Sequence, residues 1–249
     1  MKKALLFFTS IIILTTSVSA SVSRTSVSWY TRPTNDNTRP ACPSEAPFLE
    51  ENDAFYLGPD EKVVYLTFDM GYENDNVFKI LDTLKKHSAP AAFFVLSHEV
   101  ENGRAIDRLI SENHLVCNHT SRHPDMTKIS DKEAFKNELE KLENEYRART
   151  GLEMSKFYRP PQGVFSEQNL VWAKELGYKT VFWSLTWADW DNKNQLPPDA
   201  ALNKLMSRMH NGAVILLHPI SDTNALMLDE FLTRLENDGY RFGTLEELE

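Results

Sequence analysis

Long apolar runs, cysteine and positive charge are all scarce in this 249-residue sequence. Each scarcity narrows what it encodes. The longest apolar run, 4–14, spans eleven residues, against the roughly 20 that a membrane-spanning helix requires. Nothing after it is apolar enough to cross a bilayer. The two cysteines, Cys42 and Cys117, exclude a cysteine scaffold. Export would permit a disulfide between them, while Leu115 and Val116 equally suit a buried free thiol at Cys117. The 27 basic side chains are outnumbered by 36 acidic ones, for a formal charge of −9. Such a surface repels polyanions, so nucleic acid is not an expected partner.

The amino terminus has its own pattern. Lys2 and Lys3 precede the apolar run, and small residues follow it, ending in Val18-Ser19-Ala20. This order predicts a secretory signal peptide over 1–20, with cleavage after Ala20 and a retained anchor as the alternative. The mature chain is then expected outside the cytoplasmic membrane, as a monomer without stable membrane insertion. Residues 21–60 are rich in Ser, Thr, Asn and Pro and read as an irregular lead-in. From 61 to 249 the pattern becomes regular enough for one domain.

Short β-rich runs recur at 62–68, 91–96, 114–118, 156–159, 179–184, 213–217 and 240–243. Helical spacing fills most of the gaps, at 74–87, 102–112, 131–150, 166–177, 198–209 and 223–238. Ser130 with Glu133 and the single residue Ser166 are candidate helix starts, and Gly177 and Gly239 are candidate stops. Strands alternating with helices predict a parallel sheet with helices outside it. Several strands are apolar throughout, as when both faces are buried. About seven strand–helix units are one short of a regular barrel, with a doubly wound open sheet as the structural alternative.

In parallel α/β folds the chemistry gathers at the carboxyl ends of the strands. Five of those ends here run into polar clusters. They are Thr67-Phe68-Asp69-Met70-Gly71-Tyr72-Glu73-Asn74, Asn118-His119-Thr120-Ser121-Arg122-His123, Arg159-Pro160-Pro161-Gln162-Gly163, Trp183 through Asp189-Trp190, and Leu216-Leu217-His218. Singly, Asp69 could be a helix cap, the two histidines surface residues, Arg159 a structural ion-pair partner and His218 a core histidine. Five clusters on one sheet should converge, and convergence favours a hydrolytic site.

These five segments, in this order, resemble the motifs of the polysaccharide deacetylase family, carbohydrate esterase family 4. Asp53-Ala54-Phe55-Tyr56-Leu57-Gly58, Gly71-Tyr72-Glu73-Asn74 and the stretch from Arg159 to Glu167 narrow the resemblance to the muramic acid de-N-acetylases of δ-lactam-containing peptidoglycan. The resemblance covers roughly 53–249. It implies a distorted parallel (β/α) barrel in a single domain, and a metal-dependent hydrolase that removes N-acetyl groups from cell-wall peptidoglycan. His119 and His123 would hold a divalent metal such as zinc. Asp69 would be the general base, held by Arg159, and His218 the general acid, oriented by Asp189. The Gln162 backbone N–H, beside Pro161, would steady the oxyanion, and Trp190 and Leu216 would shape the acetyl pocket.

The sequence departs from the family at Met70, where most members carry an aspartate as third metal ligand. A thioether is a poor ligand for such an ion, so a weaker site completed by water or substrate is expected. Gln162 replaces an aromatic residue and Thr186 an aspartate. Arg122 and Lys193 are candidate partners for the lactyl carboxylate of muramic acid. Two other functions stay open: deacetylation of N-acetylglucosamine, chitin-like or acetylated xylan glycans, and non-catalytic glycan binding on the same fold.

Overall fold

A computed structural model describes residues 22–248. The export signal expected over 1–20 lies outside them. In chain order the strands are β1 (Val27–Ser28), β2 (Ala54–Phe55), β3 (Val63–Asp69), β4 (Ala91–Val95), β5 (Leu115–Asn118), β6 (Ser155–Tyr158), β7 (Val164–Phe165), β8 (Lys179–Val181), β9 (Leu185–Thr186), β10 (Ala213–Leu217) and β11 (Arg241–Phe242). The α-helices are α1 (Asp75–Lys86), α2 (Ser97–Asn102), α3 (Ile106–Ser111), α4 (Lys132–Thr150), α5 (Glu167–Glu175), α6 (Pro198–Met206) and α7 (Asp222–Asn237).

The main sheet runs β2-β8-β6-β5-β4-β3-β10-β9, with β11 against the first residues of β3. Every strand pair in it is parallel. β8 and β9 are two stretches of one segment, yet β8 pairs with β6 and β9 with β10 at the opposite end of the sheet. The three residues between them carry the chain across, and Ser184 N–H donates to the Val214 carbonyl at 2.9 Å. The sheet therefore curls round on itself into a distorted barrel rather than staying open. All seven regions expected to be strands contain one.

Side-chain alternation along β3 divides the core. Val64, Leu66, Phe68 and, just beyond the strand, Met70 pack in the cluster beneath the helices. Val63 and Tyr65 belong to a second cluster with Ala92, Phe94, Cys117, Val181 and Val214. The two-residue period of a strand thus puts Asp69 on the Val63 face and Met70 on the helix face.

Some local expectations are revised. The helix expected over 102–112 begins only at Ile106, as α3, and a separate short helix, α2, ends just before Gly103. A Cβ there would meet the Glu99 carbonyl oxygen at 2.4 Å. Asp131, rather than Ser130, caps α4, accepting from Ala134 N–H at 2.8 Å. Its carboxylate also suits the positive end of the helix dipole. Ser166 caps α5 in a reciprocal box with Asn169. Cys117 is buried and Cys42 exposed, and both are free. Among the described residues no helix is long and apolar enough to cross a membrane.

Within 22–60, β1 pairs antiparallel with β7, and β2 adds to the sheet beside β8. Trp29 anchors this region. It is 6% exposed, stacks on Phe182 with ring centroids 4.6 Å apart, and donates from Nε1 to the Trp183 carbonyl at 2.8 Å. Removing a buried indole loses both its apolar area and its packing. Trp29→Ala is expected to destabilise the protein by about 3–5 kcal/mol, measured by denaturant unfolding. A loss below about 1 kcal/mol would show that this region is only draped over the barrel.

Candidate active site

Five of the polar strand ends meet around one cavity of about 390 Å³, lined by Asp69, His119, His123, Gln162, Gly163, Trp183, Thr186, Trp190, Leu216 and His218. Asp69 ends β3 and is free to serve there because Asn74 caps α1, its side chain accepting from Asn76 N–H at 3.0 Å. Arg159, immediately after β6, is fully buried. Its guanidinium donates to Asp69 Oδ1 at 2.7 Å, to the Val181 carbonyl at 2.8 Å and to the Phe182 carbonyl at 3.2 Å. Its plane lies 4.2 Å from the Phe94 ring centroid. Burial alone would raise the Asp69 carboxyl, but the charge of Arg159, helped by His119 and His218, holds it below the usual carboxylate range.

His119 and His123 sit on the turn after β5. Asn118 Oδ1 accepts from Thr120 N–H at 2.8 Å, and Thr120 Oγ1 accepts from His123 N–H at 2.9 Å. These bonds fold the turn so tightly that Thr120 and His123 both adopt positive φ, 72° and 60°. The two rings end 4.9 Å apart. His119 Nδ1 lies 2.8 Å from the Arg159 carbonyl. A carbonyl can only accept, so Nδ1 carries the proton and Nε2 keeps its lone pair. Burial drives the His119 pKa down to about 4 and lowers that of His123, so both rings are neutral at pH 7. That donor pair fits a borderline divalent ion. Among the described residues no group of three His, Cys, Asp or Glu forms a ready-made metal site. Met70 supplies no third donor, being 1% exposed and packed in the core beneath the helices.

Across the cavity His218 follows β10. Its ring Nδ1 donates to Asp189 Oδ1 at 2.7 Å, and its backbone N–H donates to Asp189 Oδ2, also at 2.7 Å. Burial would lower the imidazole pKa, but the hydrogen bond and charge of Asp189 outweigh it and raise it. The surroundings thus push two groups in opposite directions: Arg159 favours the carboxylate of buried Asp69, and Asp189 favours the protonated form of partly exposed His218.

The remaining wall comes from the turn after β6. Gln162 has φ 59°, a left-handed conformation unusual outside glycine. Gly163 follows at φ 66°, where a Cβ would meet Trp183 at 2.7 Å. Pro161 is buried in the same turn but does not reach the cavity wall. Leu216 is buried in the wall, while Trp190 is 63% exposed at the rim, its ring centroid 6.3 Å from that of His218. Arg122 lies outside the cavity wall. Its backbone N–H and its guanidinium both donate to Glu138, at 2.8 Å each. Lys193 is exposed and likewise outside the wall. Sequence reading missed one residue behind the site: Asn224 on α7, fully buried against Asp189 and His218.

Oppositely shifted proton affinities across one cavity suit acid–base hydrolysis, and the cavity defines the class as a hydrolytic enzyme. Comparison with known proteins narrows it. Residues 57–181 match the family model for polysaccharide deacetylase. The chain is 43% identical over 203 residues to the peptidoglycan-N-acetylmuramic acid deacetylase PdaA of Bacillus subtilis, spanning 80% of this chain and 76% of that one. Superposed on the PdaA structure, a family 4 carbohydrate esterase, it gives a TM-score of 0.86, covering 91% of this chain and 98% of that one at 38% identity. Over 188 residues, 75% of this chain and 39% of the relative, it is 35% identical to the Listeria monocytogenes peptidoglycan-N-acetylglucosamine deacetylase PgdA. The Bacillus anthracis protein BA3943, described as a family 4 pseudoenzyme, superposes at a TM-score of 0.72 and 30% identity, over 78% of this chain and 68% of that one. The chain belongs to the polysaccharide deacetylase family.

The raised proton affinity of His218 has a measurable consequence. A raised imidazole pKa keeps the proton to higher pH than an ordinary histidine, so an acid role is lost only as pH climbs through that raised value. Replacing Asp189 by Asn removes what holds the proton, and the alkaline limb of the rate–pH profile is expected to move to lower pH. An unmoved limb in folded Asp189→Asn would take His218 out of the acid role.

Proposed function

We propose that this protein is an extracytoplasmic peptidoglycan deacetylase that hydrolyses the N-acetyl group of N-acetylmuramic acid, a step towards muramic δ-lactam. The observation that carries the reading is the pairing, across one cavity, of an Arg-held carboxylate with an Asp-held imidazole. The identity to a relative named as a muramic acid deacetylase supports the sugar. The freed amine would lie on the same sugar as the lactyl carboxylate, with which it could close a lactam.

Asp69 takes a proton from the attacking water as that water adds to the amide carbonyl. Arg159 keeps Asp69 ionised and fixes its direction. The backbone N–H of Gln162 steadies the negative oxygen of the tetrahedral species. His218, charged, gives its Nε2 proton to the leaving sugar nitrogen, so acetate and a free amine depart. Asp189 orients that ring. Leu216 and Trp190 wall the acetyl group. His119 and His123 would hold a divalent metal such as zinc, which when bound supplies Lewis-acid polarisation of the carbonyl and acidifies water. No lysine or arginine lines the cavity among the described residues, so the lactyl carboxylate is met at the rim, where Lys193 follows Trp190 after two residues. The lead-in before residue 61 and an export signal over 1–20 complete the domain plan.

Asp69→Asn and His218→Ala are each expected to lower turnover by about 10²–10⁴-fold with the fold retained. Near-normal acetate release by folded Asp69→Asn would remove this mechanism. The substrate is read by incubating the protein and a divalent metal with peptidoglycan, with and without stem peptides, and analysing the products by mass spectrometry. Peptide-free chains should lose acetyl from muramic acid far faster than chitin oligomers do from glucosamine. Glucosamine formation alone would reassign the sugar and keep the reaction, in line with the name of the Listeria relative. The similarity to a pseudoenzyme, together with Met70, gives a non-catalytic glycan-binding reading its ground. Retention of both charged pairs speaks against it, since binding needs no acid–base set.

The metal assignment has its own readout. Chelation should abolish acetate release and added zinc restore it. Calorimetric zinc affinity should fall by about tenfold or more in His119→Ala. Equal affinity in parent and variant would remove His119 from the metal site.

A further inference from the structure

Behind His218 lies a side chain that neither the family motifs nor the reaction scheme uses. Asn224 is the third residue of α7 and fully buried. Its backbone N–H donates to the N-cap hydroxyl of Ser221 at 3.0 Å, which fixes where its side chain starts. From there the amide makes three contacts. Nδ2 donates to Asp189 Oδ2 at 2.5 Å and to the His218 carbonyl at 3.1 Å, and Oδ1 accepts from Trp187 Nε1–H at 3.1 Å. Only a side chain carrying both donors and an acceptor satisfies all three partners at once.

We propose that Asn224 is the positioning residue of the His218–Asp189 pair, holding the carboxylate and the histidine backbone together so that the imidazole keeps one orientation towards the cavity. The inference rests on the acid role proposed for His218. Asp189 is completely buried, and its Oδ2 receives two N–H donors, one from His218 and one from Asn224. With Oδ2 pinned on both sides, Oδ1 can face only His218 Nδ1. The tautomer follows: Nδ1 is committed to Asp189, and Nε2 is the nitrogen left for the substrate. A second layer braces the same loop. Gln195 Nε2 donates to the Asp189 carbonyl at 2.9 Å, while its Oε1 accepts from Ser221 Oγ at 2.9 Å and from Thr223 N–H at 3.0 Å. The start of α7 and the loop carrying Asp189 are therefore tied at two points, Gln195 holding the Asp189 backbone and Asn224 its carboxylate.

Without the amide, Asp189 Oδ2 keeps one donor, the Trp187 indole and the His218 carbonyl lose a partner, and the carboxylate can turn. The charged groups acting on the imidazole are Asp189, Asp69 and Arg159, and none of them is altered by an apolar substitution at 224. A change in the His218 ring would therefore come through the orientation and hydrogen bonding of Asp189.

The test compares the parent with Asn224→Leu and with the smaller Asn224→Ala, each checked for fold by circular dichroism and a cooperative melt. Turnover is expected to fall on the order of 10²-fold, as for a misplaced catalytic group, with KM nearly unchanged. The alkaline limb of kcat should move to lower pH, and the low-field proton resonance of His218 Nδ1–H should weaken or vanish. A folded variant with the parent's turnover, limb and resonance, or one altered only in melting temperature, overturns the proposal. The resonance reads the pair without turnover. A parent that releases no acetate, but loses the resonance on substitution, refutes the proposed function and upholds the placement of Asn224. An active parent whose resonance survives substitution does the reverse.

Discussion

The buried ion pair between Arg159 and Asp69 is the constraint on which the site is built. A fully desolvated guanidinium is tolerable only when every face of it is satisfied. Here the carboxylate takes one nitrogen, the Val181 and Phe182 carbonyls take the others, and the Phe94 ring covers the plane. Those two carbonyls lie where β8 leaves its partner and the chain crosses to β9, so the same side chain also satisfies the bend that closes the barrel. The Arg159 carbonyl then sets the tautomer of His119. One residue thereby fixes the base, one imidazole and the curl of the sheet. Breaking so buried a pair costs about 3–5 kcal/mol, which is a large part of a domain's whole stability.

Two carboxylates, Asp69 in the cavity wall and Asp189 buried behind His218, are set apart by their neighbours. Asp69 faces a fixed cation that favours its ionised form, as the proposed base requires. Asp189 faces an imidazole and raises its proton affinity, so that in the proposed reaction a histidine, and not a carboxylic acid, carries the proton to be donated. Separation of proton affinities by environment is how one site runs both halves of an acid–base reaction at one pH. The two neutral imidazoles complete the set, since burial strips their protons and leaves the lone pair of His119 Nε2 free.

Much of this was legible in the sequence, and the reasons are local. β3, β4 and β10 read as strands because both their faces are covered, which shows as unbroken apolar runs. The five polar clusters stood out because they interrupt those runs at one end only. Shorter-range chemistry was less legible: Ser130 and Asp131 are both good caps, and only the geometry of the first turn chose between them. The stop at Gly103 was hidden because a glycine within helical spacing is often tolerated, and here its backbone turns extended at ψ 141° after its N–H closes the last bond to the Glu99 carbonyl. Met70 drew attention as a missing ligand, but adjacent residues at a strand end point to opposite faces.

By itself the sequence determined the strand–helix alternation, the order of the polar clusters and the identities of Asp69, His119, His123, Arg159, Asp189 and His218 at strand ends. These are properties of periodicity and residue type, carried within a few neighbours along the chain. Only the tertiary structure decided what depends on distant segments meeting. It curled the sheet through the β8–β9 crossing and drew Trp29 under Trp183. It turned Arg122 away to Glu138 and set Asn224, 35 residues beyond Asp189, behind the acid. A buried amide or guanidinium is chosen by the partners that desolvation forces on it, and those partners exist only once the chain has folded.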